Sequence, residues 1–222
     1  MMGGLKKPFT TDNGTANGYK VDENTQEIFG YNAGMRGKKG SEYDGGHRVP
    51  FIIRWPKGGL LGNKKLTGLT AHVDILPTLT ALANIDHSPS KVMDGMDLSG
   101  YITDEEAPKD RYLVTDTQRV PWPVKGKQSC VMNGDWRLVN GTELYDVKQD
   151  PGQQNNLANQ NVELVADMNA FYESWWNEVI TETKYSVIDL GVDPLEVITC
   201  HDAHTVEAYP PGTSNRSDRE SL

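Results

Sequence analysis

Cysteine is scarce: the 222 residues hold two, Cys130 and Cys200, in Ser-Cys-Val-Met and Thr-Cys-His-Asp settings. With no C-x-x-C spacing, neither a zinc ribbon nor a dithiol redox site is indicated, and a single Cys130–Cys200 disulfide stays open. Long apolar runs are lacking as well. Residues 49–53 are cut off at Arg54, far short of the roughly 20 residues that cross a bilayer, so no membrane span is expected. Positive charge is in deficit: 22 Lys and Arg stand against 31 Asp and Glu, a formal charge of −9, which argues against a general nucleic-acid binder. An anionic substrate would therefore need a local cationic site or a metal. The opening Met1-Met2-Gly3-Gly4-Leu5-Lys6-Lys7 is followed by no apolar stretch, so no secretory signal is read.

What is present is a globular composition, 36% hydrophobic and 24% charged, with length for one large or two small domains. Residues 10–46 are rich in Gly, Asn, Lys and Asp and read as loop around short elements. Val49-Pro50-Phe51-Ile52-Ile53-Arg54-Trp55, stopped by Pro56, predicts a buried strand. Val73, Leu76, Leu79, Leu82 and Ala83 recur at helical spacing, with Asp74 as N-cap and Pro77 in the first turn, where its missing N–H costs nothing. Residues 93–98 form a turn into a short helix, and the acid-rich stretch 103–111 marks a boundary.

From Tyr112 the pattern changes to strands at 112–114, 128–132, 136–139 and 143–146. Asn133-Gly134 and Asn140-Gly141 lie between the last three, and Asn-Gly suits tight hairpins because both central residues take positive φ. An antiparallel meander follows. Val162, Val165, Met168, Tyr172, Trp175 and Val179 then mark one face of a long helix that covers one side of it. The tail from Tyr209 is polar and reads as disordered.

Three features could carry chemistry. Asp12-Asn13-Gly14 follows a β-prone stretch and sets two hard oxygen donors side by side, suited to Ca²⁺ or Mg²⁺, although the same triplet alone is an ordinary turn. In residues 37–50, glycines flank Lys38 and Lys39, so the backbone can approach a ligand while an ammonium meets a sulfate or phosphate oxygen; a solvated basic loop is the plainer reading. Among the histidines, His201 and His204 could share a helix face but follow no zinc pattern, and His72 reads as structural.

In order along the chain these features resemble the arylsulfatase type of the sulfatase family, within the alkaline-phosphatase superfamily. The landmarks are Thr11-Asp12-Asn13-Gly14; Lys39-Gly40-Ser41-Glu42-Tyr43-Asp44-Gly45-Gly46-His47-Arg48-Val49-Pro50, with its strand ending Arg54-Trp55-Pro56; His72-Val73-Asp74-Ile75-Leu76-Pro77-Thr78-Leu79; and Asp94-Gly95 with Leu98. The last is Glu143-Leu144-Tyr145-Asp146 followed by Asp150-Pro151-Gly152 and Asn155-Asn156-Leu157. The resemblance implies an α/β fold: the C-terminal part of an alkaline-phosphatase-like sheet domain over residues 1–105. A smaller α+β subdomain with a four-stranded antiparallel sheet and a long helix follows over 106–208, then the tail at 209–222.

It further implies a sulfuric ester hydrolase in which Asp12 and Asn13 are ligands of one calcium ion and Lys39 contacts the sulfate. Arg119 and Trp122 are substrate-contact candidates in a loop, for which a plain surface role is the other reading. The family's nucleophile, a formylglycine made from Cys or Ser in a C-x-P-S-R context, attacks the sulfur of a sulfate ester, possible substrates including sulfated glycans. Neither cysteine here has that context, and the family's early Asp-Asp metal pair is also absent. The chain thus looks like the C-terminal portion of a sulfatase, inactive without the N-terminal half, whose parent is periplasmic, secreted or lysosomal. Two rivals stay open: a phosphodiesterase or phosphonate hydrolase of the same superfamily, and a truncated, non-catalytic sugar-binding or interaction module.

Overall fold

A computed structural model describes residues 8–16, 20–21, 24, 28–60, 64–86, 93–103, 108, 111–118 and 123–182. The Gly- and Asn-rich first part yields only short elements, as its sparse apolar residues dictate. Phe9–Thr10 (β1), Lys20–Val21 (β2) and Ile28–Phe29 (β3) precede a four-residue helix, Asp44–His47 (α1), and Phe51–Ile52 (β4). β1 pairs antiparallel with β4, Phe9 opposite Ile52 and Thr10 opposite Phe51, and β2 pairs with β3.

The buried strand expected at residues 49–55 is corrected here to two residues, and both are exposed, Phe51 at 43% and Ile52 at 59%, as is Phe9 at 57%. The reason is that a β-prone sequence supplies the strand but not the layer that would bury it. Among the described residues, β4 has one two-residue neighbour, and a two-stranded ribbon is marginal by itself.

A 3₁₀ turn, His72–Asp74, leads into Ile75–Leu82 (α2), and Ser99–Thr103 (α3) follows. Asp74 occupies the N-cap position and Pro77 is buried in the first turn, as the sequence suggests. The Asp74 carboxylate does not cap α2, however; it accepts from Ala71 N–H (2.7 Å) and from Met96 N–H (3.0 Å). Val73 and Leu76, two of the apolar residues at helical spacing, are about half exposed.

The second part forms as its alternation demands. Tyr112–Asp116 (β5), Ser129–Asn133 (β6), Trp136–Val139 (β7) and Glu143–Asp146 (β8) make an antiparallel sheet in the order β5-β6-β7-β8. Asn140 and Gly141 both take positive φ (51° and 70°) in the β7–β8 turn, while in the β6–β7 turn Asn133 pairs with Trp136 and Gly134 alone (φ 52°) carries the reversal. The sheet presents two apolar faces. Val131, Leu138 and Leu144 point to one and meet Met168 and Tyr172 of the long helix Val162–Glu182 (α4).

Cys130, Met132, Val139 and Tyr145 point to the other face, where Tyr43 and Leu69 of the first part pack against them. Full burial of Leu138, Leu144 and Met168 contributes about 1.5–3 kcal/mol each, and the β1–β4 ribbon has nothing comparable. The ends of the helical stripe depart from expectation: Val162 and Val179 are exposed. Cys130 is a free thiol, fully buried, and burial pushes its pKa up to about 12, so it is inert as a nucleophile. The 103–111 boundary falls mainly, and the 209–222 tail wholly, on residues outside those described.

Candidate functional site

The chain leaves β1 at Thr10 and bends through Asp12, Asn13 and Gly14. Asn13 Nδ2 donates to Asp12 Oδ2 at 2.6 Å, so the two candidate ligands lie side by side at the strand end. His72 reaches the same place: its Nε2–H donates to the Thr11 carbonyl at 2.8 Å, tying the start of α2 to the residue before Asp12.

Next to this bend sits the loop that carries Lys39. Gly14 N–H donates to Gly46 O (2.9 Å), and Lys39 N–H donates to Thr15 O (3.0 Å). These two bonds seat the Lys39 loop directly against the Asp12-Asn13-Gly14 bend, with the lysine side chain exposed. The Gly-Gly pair is what permits the approach. A Cβ at Gly14 would lie 1.9 Å from Gly45 O, one at Gly45 2.5 Å from Gly37 O, and one at Gly46 2.1 Å from Ser41 O. Each contact is with backbone that cannot step aside.

Asp44, the acid before the glycines, is 1% exposed. Its backbone N–H donates to Gln153 Oε1 (2.9 Å), and its carboxylate accepts from Arg137 Nε (2.9 Å) and Arg48 Nη1 (3.3 Å). His47 Nε2 stands 3.5 Å from the same carboxylate, and neither of its ring nitrogens makes a hydrogen bond among the described residues. Burial works against the Asp44 charge, but the His47 imidazole and the Arg137 guanidinium outweigh it and hold the carboxyl well below the usual range. Asp44 is thus a buried anion with a structural task, clamping the loop to β7.

Asp12 and Asn13 fit a hard cation as part of a shell. Ca²⁺ takes six to eight oxygen ligands, and this strand end offers one carboxylate and one amide oxygen. Among the described residues, no group of three or more His, Cys, Asp or Glu side chains could hold a metal ion alone. Lys39 is the cationic member beside them. Arg119, Trp122, His201 and His204 lie outside the described residues.

Sequence reasoning gave no role to Asp44, Arg137, Glu143 or Gln153. A signal for Arg137 was available: in Trp136-Arg137-Leu138-Val139 strict alternation places it on the face of Val139, and a charge on an apolar face calls for a partner. The partner, 93 residues earlier, is beyond the reach of a pattern argument.

Residues 9–85 match the family model described as Sulfatase. An N-acetylgalactosamine-6-O-sulfatase of Bacteroides thetaiotaomicron is 25% identical over 189 residues, covering 75% of this chain and 35% of that protein. The mouse steryl-sulfatase is 34% identical over 90 residues, covering 40% of this chain and 14% of its own length. The crystal structure of Ps i-CgsB in complex with k-i-k-neocarrahexaose superposes with a TM-score of 0.60 at 25% identity, covering 76% of this chain and 35% of that one. The chain thus spans about a third or less of the length of these relatives.

Proposed function

We propose that this chain, whose residues 9–85 match the Sulfatase family model, supplies the cation-and-lysine side of a sulfate-ester hydrolase site. The observation that carries this reading is the pair of backbone bonds, Gly14 to Gly46 and Lys39 to Thr15, which brings the Lys39 loop against Asp12 and Asn13. Asp12 and Asn13 would hold a calcium ion, which when bound supplies Lewis-acid stabilisation of charge on sulfate oxygens. Lys39, exposed beside them, would set an ammonium against the same oxygens, where negative charge grows as the S–O bond breaks.

The formylglycine nucleophile and the remaining calcium ligands come, in this reading, from polypeptide outside these 222 residues, the N-terminal half of the sulfatase. The exposed apolar side chains of β1, β4 and α2 support such a covering layer. The neocarrahexaose bound by Ps i-CgsB and the name of the Bacteroides relative support a sulfated glycan as the substrate class.

Two measurements test the proposal. Calorimetry on the 222-residue chain is expected to give a calcium affinity weaker than about micromolar, because two donors are a fraction of a calcium shell, and a chromogenic aryl sulfate should not turn over. Affinity tighter than that would mean that the site is complete without the nucleophile-bearing half. Joined to that half, the protein is expected to prefer an aryl sulfate to the matched aryl phosphate, and the reverse preference would favour the phosphodiesterase rival.

A further inference from the structure

The motif Glu143-Leu144-Tyr145-Asp146, with the Gln153 that follows Asp150-Pro151-Gly152, has no part in the chemistry above. In β8 the alternation turns Leu144 toward α4, and Glu143 and Tyr145 toward the first part of the chain. There the Glu143 carboxylate meets both ends of the loop that carries Lys39. Oε2 accepts from the Tyr43 hydroxyl at 3.0 Å and lies 3.8 Å from Arg36 Nη1. Arg36 in turn stacks on the Tyr43 ring, its guanidinium carbon 3.8 Å from the centroid, and donates to Tyr145 Oη and Gln153 O, both at 3.1 Å. The Tyr145 hydroxyl donates to the same Glu143 oxygen at 2.6 Å.

From this geometry we propose that Glu143 is a positioning residue for Lys39. One carboxylate of the sheet ties Arg36 to Tyr43, closing the base of the loop, and the loop's far side is fixed by Lys39 N–H on Thr15 O. The seat of the Lys39 backbone beside the Asp12-Asn13 bend is therefore set from β8. Burial and the Glu143 bond push both tyrosine hydroxyls above their ordinary pKa, so they remain donors across the working pH range. That Lys39 acts on sulfate rests on the sulfatase reading; that Glu143 fixes its loop does not.

Hydrogen exchange on the whole 222-residue chain, read by NMR, tests the clamp. In Glu143→Gln the Lys39 amide is expected to exchange about tenfold faster, with less than about a twofold change at Val131 and Leu138 in the sheet. Tyr43→Phe, which removes only the loop-side hydroxyl, should shift Lys39 in the same direction and fold normally. Unchanged Lys39 exchange in both variants would overturn the proposal.

A titration with inorganic sulfate, followed at the Lys39 side chain, gives the second readout. Apparent affinity should fall about fivefold in Glu143→Gln and Tyr43→Phe, recover in part in Glu143→Asp, and hold in the surface control Glu173→Gln. If Lys39 in the parent chain ignores sulfate, the sulfatase reading fails and exchange alone decides the clamp. If Lys39 responds equally in parent and variants, the clamp fails and the reading stands.

Discussion

Replacing Arg111 by methionine is expected to destabilise the chain by about 3–5 kcal/mol, the usual consequence of leaving one member of a buried ion pair alone. Arg111 Nη1 and Nη2 grip Asp74 Oδ2 and Oδ1 at 2.7 and 2.5 Å, with both residues under 10% exposed. Without the guanidinium, Asp74 keeps only the Ala71 and Met96 amides. Among the described residues, Asp74 makes an ion pair with no second cation. The damage should be relieved in the double variant Asp74→Asn/Arg111→Met, since removing both charges removes the desolvation penalty as well. Urea unfolding of the two variants and the parent measures the difference. Equal stability of Arg111→Met and the parent would mean that the pair is open to water.

Arg137→Met is expected to cost less, about 2–3 kcal/mol at neutral pH, although the pair it breaks is as deeply buried. Asp44 retains the Arg48 bond, which takes over part of the lost compensation. Its stabilisation has a defined pH window. Because the folded carboxyl titrates below its unfolded value of about 4, the contribution is complete above that pH and is lost as pH falls below it. The stability gap between parent and Arg137→Met should therefore narrow as pH drops from 6 to 3. A gap constant over that range would show that Arg137 acts through packing, not through the Asp44 charge.

The contrast between these pairs shows what a sequence discloses. The four-stranded sheet was legible because alternation and Asn-Gly turns are local: Asn140 and Gly141 state their own backbone angles, and Val131, Leu138 and Leu144 mark a face for α4. The exposed Val162 and Val179 ends of the helical stripe could not be judged so, since a helical repeat marks a face and not what covers each part of it. At β4 the local signal was sound and the inference of burial failed, because burial depends on what lies across the ribbon.

The site divides in the same way. Asp12, Asn13 and Lys39 were singled out as residue types in order, and their adjacency rests on hydrogen bonds across 24 and 32 residues of loop. The residues that hold the loop, Asp44 with Arg137 and Tyr43 with Glu143, are 93 and 100 residues apart. Beside the alternation that marks Arg137, Gly45 and Gly46 offer a local hint: two glycines in succession mark a close backbone approach, here of Gly37 and Ser41.

The central claim is that the Asp12-Asn13 strand end and the Lys39 loop form one cation-bearing edge. Paramagnetic broadening of the NMR spectrum of the whole chain by Mn²⁺, used as a stand-in for calcium, tests it most directly. Added ion should broaden the amides of Asp12, Asn13, Gly14 and Lys39 together, and Asp12→Asn should abolish the effect at all four. Broadening centred on other acidic turns, such as Asp94 to Asp97 or Asp146 to Asp150, with Asp12, Asn13 and Lys39 silent, would contradict the account.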